Sequence, residues 1–591
     1  MVGRFVATGI VASCMLGAQA AALVHYEVPP MSDVKRLPDT PVADGVKGGT
    51  VRIILAKDEY EPGSFVVEPL EDLGRVQLAL TPFTNERDET LPADSLDLKV
   101  VKVWYQNRNA WNNYFGDTGF ALCPELLLND ENLIRVDTAK AANYARLTAK
   151  DGSVTEQWIN PPRQMDKVFW DWHNGGEAFA CMRPEFADAD TLQPVELRKG
   201  ERKQFFLTVH AGRETKAGVY RGKVSGFRFQ VSGSGKREAG KSACLEIPVA
   251  VRVLDFVLPA PASYADETRL FDISFYTHDS IAEFTRLNGG DFELAKRQFA
   301  AVMKNRVAHG QTVNFCGHLL SPVEGDCTRA AMREAGMRED IAVGGVPYAD
   351  SGFDVELEAT ARRSYAAVTN ALGHGNVCAV YGDETGATTL RDNHRFYRAM
   401  RKAGYRLFLA NTEKLFRLSA VDYAGGWVNF SDAPEDDARP RAWGQLPNDT
   451  SVAWYADQHV ASENPAFNRR QNGLAAYLAG YTALCNYAHY NQPYNDDSTT
   501  YRPMCMTYVH AKGCIDTLQW EGFREGVDDI RYATKLVTLA RKAAKSSDTT
   551  VREAGILALQ QLALFDRKAG DPAACRREMT RHILKLIDLE R

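Results

Sequence analysis

Asn376-Val377-Cys378-Ala379-Val380-Tyr381-Gly382-Asp383-Glu384-Thr385-Gly386 is the stretch from which the rest of the chain can be read. The small and apolar residues Val377 to Val380 follow an amphipathic segment, 354–372, and the run breaks at Gly382 into two adjacent carboxylates. A short apolar run without alternation, entered from a helix, is how a buried parallel strand looks when its C-terminal end opens into a loop. In α/β barrels catalytic groups sit at the strand C-termini, so Asp383 and Glu384 are a candidate acid–base pair. Taken alone, two adjacent acids are also what a solvated loop carries.

Strand and helix alternate on both sides of that stretch. Strands are expected at 270–276, 312–316 and 341–346, then at 377–383, 406–410, near Val421, at 452–456 and at 483–487. Helices begin at Asp291 and Asp354, where a short acidic side chain suits the N-cap, and others are expected at 393–402, 412–418 and 467–478. The count is eight strands with the carboxylate pair on the fourth, which predicts a (β/α)8 TIM barrel over 264–510. The same strand-end rule nominates Tyr381, Asn411, Trp454, Tyr455, Asp457, Tyr487 and His489 as substrate-binding residues.

Upstream, from about residue 50 to 255, short alternating runs are separated by Gly, Pro, Asn and Asp clusters. They predict an N-terminal antiparallel β-sandwich, domain 21–258, making the whole a multidomain α/β plus all-β protein. Trp111, Trp158, Trp170 and Trp172 sit in its loop-rich middle and are expected to form satellite cores in preference to facing a glycan. Leu258-Pro-Ala-Pro-Ala-Ser263 reads as a linker, short enough to keep sandwich and barrel packed together. The tail, 511–591, is expected to be a helical extension. Its Trp520, Phe523, Val527 and Ile530 form one face against the barrel, which leaves Glu521, Glu525, Asp528, Asp529 and Arg531 on a solvated or ion-paired rim.

At 591 residues the chain exceeds one ordinary core. A net charge of -6 and a pI near 6.1 give no electrostatic reason for nucleic acid or an anionic membrane as partner. Arg4, the apolar run from Phe5 to Leu16 and Ala18-Gln19-Ala20 make a secretory signal over 1–20, too short to span a bilayer, which predicts a secreted or periplasmic protein. Val11-Ala-Ser-Cys14 resembles a lipoprotein box, but the apolar run continues past Cys14, which disfavours a lipid anchor there. No HExxH, phosphate-cradling loop or complete calcium loop is present, so neither metal nor cofactor is expected. Cys123 and Cys181 are the first pair to examine for a disulfide.

Several stretches together resemble glycoside hydrolase family 123. They are Thr517-Leu-Gln-Trp-Glu-Gly-Phe-Arg-Glu-Gly-Val-Asp-Asp-Ile-Arg-Tyr532, Asn464-Pro-Ala-Phe-Asn-Arg-Arg470 running into Gly473-Leu-Ala-Ala-Tyr477, and the N-terminal pieces Asp58-Glu-Tyr-Glu-Pro62, Pro124-Glu-Leu-Leu-Leu128 and Ala217-Gly-Val-Tyr-Arg-Gly222. The resemblance implies a secreted retaining exo-β-N-acetylhexosaminidase, above all a β-N-acetylgalactosaminidase, acting on a glycan with a terminal β-linked N-acetylhexosamine. In such enzymes the 2-acetamido oxygen attacks its own anomeric carbon, so no protein nucleophile is needed. The resemblance would make Asp383 the residue that orients the acetamide and Glu384 the general acid and base. The chain departs from the family pattern at Thr385, where Pro is usual, and at Tyr487-Ala-His-Tyr490, where Trp is usual. A hydrolase of the same architecture on another glycan, and a non-catalytic glycan-binding protein, remain as alternatives.

Overall fold

The computed structural model describes residues 22–107, 120–159, 181–231, 237–277, 280–315, 322–344, 354–383, 386–411, 427–430, 450–455, 464–489, 494 and 505–590. The N-terminal part is built on a six-stranded and a five-stranded sheet with a three-stranded sheet alongside. Alternate residues of the two larger sheets, such as Ile53 and Leu55 from one and Phe65, Val67 and Phe205 from the other, share one buried apolar cluster. This is the period-2 pattern expected of facing sheets. The pairing is not purely antiparallel, because the strand Val51–Lys57 runs parallel to Arg237–Val257. Cys123 and Cys181 are both buried and no disulfide joins them.

The second part is a seven-stranded parallel sheet in the order Asp272–Phe275, Ala483–Asn486, Ser451–Trp454, Trp427–Phe430, Arg406–Asn411, Val377–Asp383, Ala342–Gly344. Next to its two outer members lies the segment 312–315. The amides of Thr312 and Val313 donate to the Ile273 carbonyl at 2.9 Å, and Phe315 forms a parallel bridge to Val343. A strand expected near Val421 falls outside the described residues, and the strand between the fifth and seventh is Trp427–Phe430. The Gly425-Gly426 pair just before it reads as a breaker in sequence, and Trp427 and Val428 take their place through burial against neighbouring strands.

Helices cover the sheet. Phe292–Ala308 is capped by the Asp291 carboxylate accepting from the Leu294 amide at 2.9 Å. The helix Asp354–Leu372 buries Leu357, Ala361 and Val368, residues at helical spacing. The longest helix, Leu518–Ala543, is capped by Thr517, whose hydroxyl accepts from the Trp520 amide at 3.1 Å. It buries Trp520, Phe523, Val527 and Ile530 as expected. Trp520 stacks on Phe523 and His309, meets the Phe275 ring edge to face, and donates its indole N–H to Asn305 at 2.9 Å.

The charged residues of that helix correct the sequence reading. Glu521, Glu525, Asp528 and Asp529 are buried along with Arg524, and Arg531 is half-buried, so the ion-paired alternative holds and the solvated rim does not. They are paired inside a junction of three parts of the chain. Arg469 binds Asp529 and Glu525, Arg576 binds Asp529, Glu525 and Glu61, and Tyr532 donates to Glu59 at 2.8 Å. The helix has neighbours on every side, so its second face meets protein in place of water, and pairing offsets part of the desolvation, although burial still raises the Glu525 pKa against the pull of Arg576 and Arg469. Close approach is possible because Gly522 and Gly526 carry no side chain: a Cβ at Gly522 would lie 2.3 Å from the Pro465 carbonyl oxygen, and one at Gly526 2.8 Å from that of Arg469. Residues 258–263 are held against the same helix, with the Ala262 amide donating to Thr534 and Arg531 donating to the Pro259 carbonyl. No helix among the described residues is long and apolar enough to cross a membrane.

Candidate active site at the strand C-termini

Val377–Asp383 ends where the sequence reading places its carboxylates. Asp383 is the last residue of the strand and pairs with Ala410, after a register irregularity between Val380 and Gly382. Only the backbone of Tyr381, Asp383 and Asn411 is described, and Glu384 and Asp457 lie outside the described residues. The surroundings are therefore read from the neighbouring strands.

Inward-pointing residues of the parallel sheet form a separate buried cluster. It contains Tyr276, Phe315, Phe408, Ala410, Trp427 and Tyr455, with half-buried Tyr487 packed against it. Tyr276 is its hub: its ring centroid lies 4.7 Å from Phe315, 5.7 Å from Phe408, 5.8 Å from Tyr487 and 6.2 Å from Tyr455. Tyr276 is fixed at the strand end by its own amide, which donates to the Asn486 carbonyl, and by its carbonyl, which accepts from the His489 amide. Because Ala410 belongs to this cluster and pairs with Asp383, the aromatic wall and the end of the Asp383 strand adjoin. Aromatic faces beside carboxylate-bearing strand ends suit a ligand with apolar C–H faces and polar edges.

The structure thus brings together Tyr455 and Tyr487 from the nominated residues and moves two others away. Trp454 is buried on the opposite side of its strand, in the cluster that includes Leu484, Trp520 and Phe523. Successive strand residues point to opposite faces, so Trp454 and Tyr455 cannot both face inward. Its indole N–H has no partner among the described residues. His489 is fully buried against Trp520 and Phe275. Its Nδ1 accepts from Arg306 Nε at 3.3 Å, and burial, with Arg306 and His309 nearby, holds its pKa well below the usual imidazole range. It is a neutral packing residue in this arrangement. Sequence reasoning missed Tyr276 and Phe315, although both lie at the ends of expected strands and the same strand-end rule applies to them.

One group has metal-ligand chemistry among the described residues: His309, Asp516 and Glu521, with candidate ligand atoms within 4.8 Å of one another. Lys99 already pairs with Asp516 at 3.3 Å, and Arg524 with Glu521. Lys99 and other neighbours hold the Asp516 carboxyl down at about 2 against the opposing effect of its burial. A divalent ion would add positive charge to a site whose carboxylates are already neutralised, so the group reads as part of the helix anchorage.

No family model matches the chain, and no curated protein matches it by sequence. Among solved structures, a family 123 glycoside hydrolase from Clostridium perfringens, studied for glycolipid glycan hydrolysis, matches with a TM-score of 0.61 at 9% identity, covering 96% of this chain and 100% of that one. A candidate beta-galactosidase from Bacteroides fragilis (TM-score 0.28, 8% identity, 85% and 60% coverage) and AvmM, which catalyses macrocyclization in alchivemycin A biosynthesis (TM-score 0.17, 11% identity, 39% and 89%), are too dissimilar to inform the fold. The chain has, over nearly its whole length, the fold of a family 123 glycoside hydrolase.

Proposed function

We propose that this protein is a glycoside hydrolase, a retaining exo-β-N-acetylhexosaminidase and foremost a β-N-acetylgalactosaminidase, with its active site at the C-terminal ends of the parallel strands. The observation that carries the reading is the end of the Asp383 strand beside the Tyr276–Tyr455–Tyr487 wall, in a chain with this fold. In the proposed mechanism the substrate's acetamide oxygen closes on its own anomeric carbon. Asp383 orients the acetamide and stabilises the cationic oxazolinium ion, while Glu384 protonates the departing oxygen and then takes a proton from water. Tyr381, Asn411 and Asp457 join the tyrosines as proposed sugar contacts.

The reading extends to the architecture. Residues 312–315 complete an eight-stranded (β/α)8 barrel within 264–510, between the 21–258 sandwich and the 511–591 helical segment, and 1–20 act as an export signal. Hydrogen bonding of 312–315 to one outer strand and its bridge to the other support closure. A different glycan on the same scaffold is the second reading, supported by Tyr487 at a position where the family usually has Trp.

Aryl β-glycosides with and without a 2-acetamido group test the mechanism. The expected result is release of aryl alcohol from the N-acetylgalactosaminide and none from the 2-hydroxy analogue. Equal rates on both would remove substrate assistance and leave a conventional hydrolase, and no release from any aryl glycoside would remove the hydrolase reading.

A further inference from the structure

A cleft of about 640 Å³ lies in the N-terminal part, on residues remote in sequence from the strand-end site. One wall is the 36–42 segment, tied to the sheet by the Arg202 amide donating to the Pro38 carbonyl at 2.8 Å. The others come from the six-stranded and three-stranded sheets. Its volume is that of a small-molecule or oligosaccharide site.

Its charge is unlike that of the whole chain. Seven Arg and Lys side chains line it against four Glu, whereas the protein as a whole is net negative. Much of that charge is committed locally, with Lys203 paired to Glu131 and Lys102 donating to the Glu131 carbonyl at 2.8 Å. Two donors are not committed. The Arg36 side chain is only 9% exposed and binds Asp44 through Nη2, yet its buried Nε has no partner among the described residues. Arg202, which binds Glu68 through Nη2, has an equally unpartnered buried Nε. Buried donors normally find acceptors, so both guanidiniums beside the cleft keep unmet hydrogen-bonding capacity. Lys102 adds to this: burial, with Lys203 beside it, brings its ammonium down to about 8, a destabilised cation that an anion would relieve.

The second feature is an aromatic strip where the cleft opens onto the three-stranded sheet. Arg135 lines the cleft and sits over the Tyr144 ring, 4.1 Å from its centroid. Tyr144 stacks with its cross-strand partner Trp158 at 6.4 Å and 27°. Trp158 is 43% exposed, which overturns its expected role in a satellite core; Trp111, Trp170 and Trp172 lie outside the described residues. A flat exposed indole continuing a cationic cleft joins two chemistries, stacking on C–H faces and binding of anionic substituents.

We propose that this cleft is a second saccharide site, which binds an anionic oligosaccharide, carboxylated or sulfated, with its charged group among Arg36, Arg202 and Arg146, a further lining arginine that lies 3.6 Å from Asp130, and a neighbouring ring on Trp158. The site gives the protein a hold on a charged polymer independent of the proposed reaction centre.

Calorimetric titration of the full chain with a tetra-uronate, a sulfated tetrasaccharide, a neutral tetrasaccharide and hexaglutamate tests this. The anionic saccharides should bind at least about tenfold tighter than the neutral one, with the preference shrinking as salt rises. Whichever of the two binds tighter identifies the anion. Arg146→Gln and Arg202→Gln should abolish the preference for charge. Trp158→Ala should weaken the tetrasaccharides about tenfold without affecting a uronate monosaccharide titrated beside them, which is too short to reach the indole. Aryl glycoside hydrolysis should be unchanged in all three variants, and their circular dichroism and melting should match the parent. Equal affinity for neutral and charged saccharides, no binding at millimolar concentration, unaltered binding in the folded variants, or hexaglutamate binding as tightly as the tetra-uronate would each overturn the proposal.

Discussion

Arg469 grips Asp529 with two parallel hydrogen bonds, Nε to Oδ2 at 2.8 Å and Nη2 to Oδ1 at 3.0 Å, with both side chains buried. The pair joins the short helix Pro465–Arg470 to the long helix Leu518–Ala543, and Arg576 adds a third helix by binding the same carboxylate through Nε at 2.5 Å. Bidentate geometry and shared partners let such a pair survive burial. Removing one partner strands the other's charge. Asp529→Ala is expected to cost roughly 3–5 kcal/mol, read as a fall in urea midpoint. A midpoint unchanged by the substitution would mean the arginines find water instead.

Trp520 presents the apolar side of the same anchorage. It is fully buried among His309, Phe275 and Phe523, so Trp520→Ala should lower stability by roughly 3–5 kcal/mol. The measurement is the denaturation midpoint alongside ligand affinity. Unchanged stability with lost sugar binding would assign Trp520 to the site instead of the core.

Gly522 needs its lack of a side chain, since a Cβ there would sit 2.3 Å from the Pro465 carbonyl oxygen and 2.8 Å from its Cα, both backbone atoms that cannot swing aside. Gly522→Ala should therefore destabilise, by about 1–3 kcal/mol, although alanine favours helix. A variant as stable as the parent would show that the two helices can separate freely.

These residues explain which parts of the fold were legible. Most of the stretches carrying the family resemblance meet along the long helix, with Glu59, Glu61 and Arg469 in the network around Glu525 and Asp529 and Glu125 bound to Gln519 nearer its start, whereas 217–222 lies in the five-stranded sheet. Glu125 accepts from Trp104 at 2.8 Å and from Gln519 at 2.5 Å, bridging the N-terminal sheet to the long helix. Their side chains must match one another across parts of the chain distant in sequence, so the pattern is recognisable while its purpose is structural. Six of the seven strands of the parallel sheet lie where apolar runs and helix spacing place them, and Trp427–Phe430 does not. Burial on the helix's second face did not follow from such patterns, because period alone cannot tell a charged face that meets water from one that meets an arginine. Trp454 failed for a related reason: naming consecutive strand-end residues ignores the alternation that sends one of each pair outward.

His510 makes acid stability testable. It is buried, its Nδ1 accepts from the Asp188 amide at 3.1 Å, and burial, with Lys512 and Lys99 nearby, brings its pKa down to about 4. Between about 4 and 6.5 the unfolded chain then holds a proton the folded chain does not, so this contribution is complete above 6.5 and lost as pH falls toward 4. Linkage puts it at up to ~3 kcal/mol. His510→Gln keeps an acceptor and cannot titrate, so the loss of stability between pH 7 and 4.5 should be smaller in the variant, with the component from His489 remaining. Equal losses would show that His510 takes up its proton in the folded state as readily as in the unfolded one.

The division of labour proposed for the carboxylates gives the most discriminating experiment. A general acid matters in proportion to the leaving group's need for a proton. Glu384→Gln should therefore be severely impaired on a disaccharide and much less so in the first step with an aryl glycoside of low leaving-group pKa, and azide should accelerate its second step. Asp383 acts on the acetamide, which attacks whatever the leaving group is. Asp383→Asn should stay impaired on both substrates, by about 10²–10³-fold, the loss expected for one preorganised electrostatic contact. It should also bind a thiazoline analogue of the oxazoline more weakly, since that inhibitor resembles the intermediate the carboxylate stabilises. Rates of both variants on both substrates decide the assignment. If Asp383→Asn were the variant rescued by the good leaving group, the two roles would be exchanged, and full activity in both would move the reaction away from the end of the 377–383 strand.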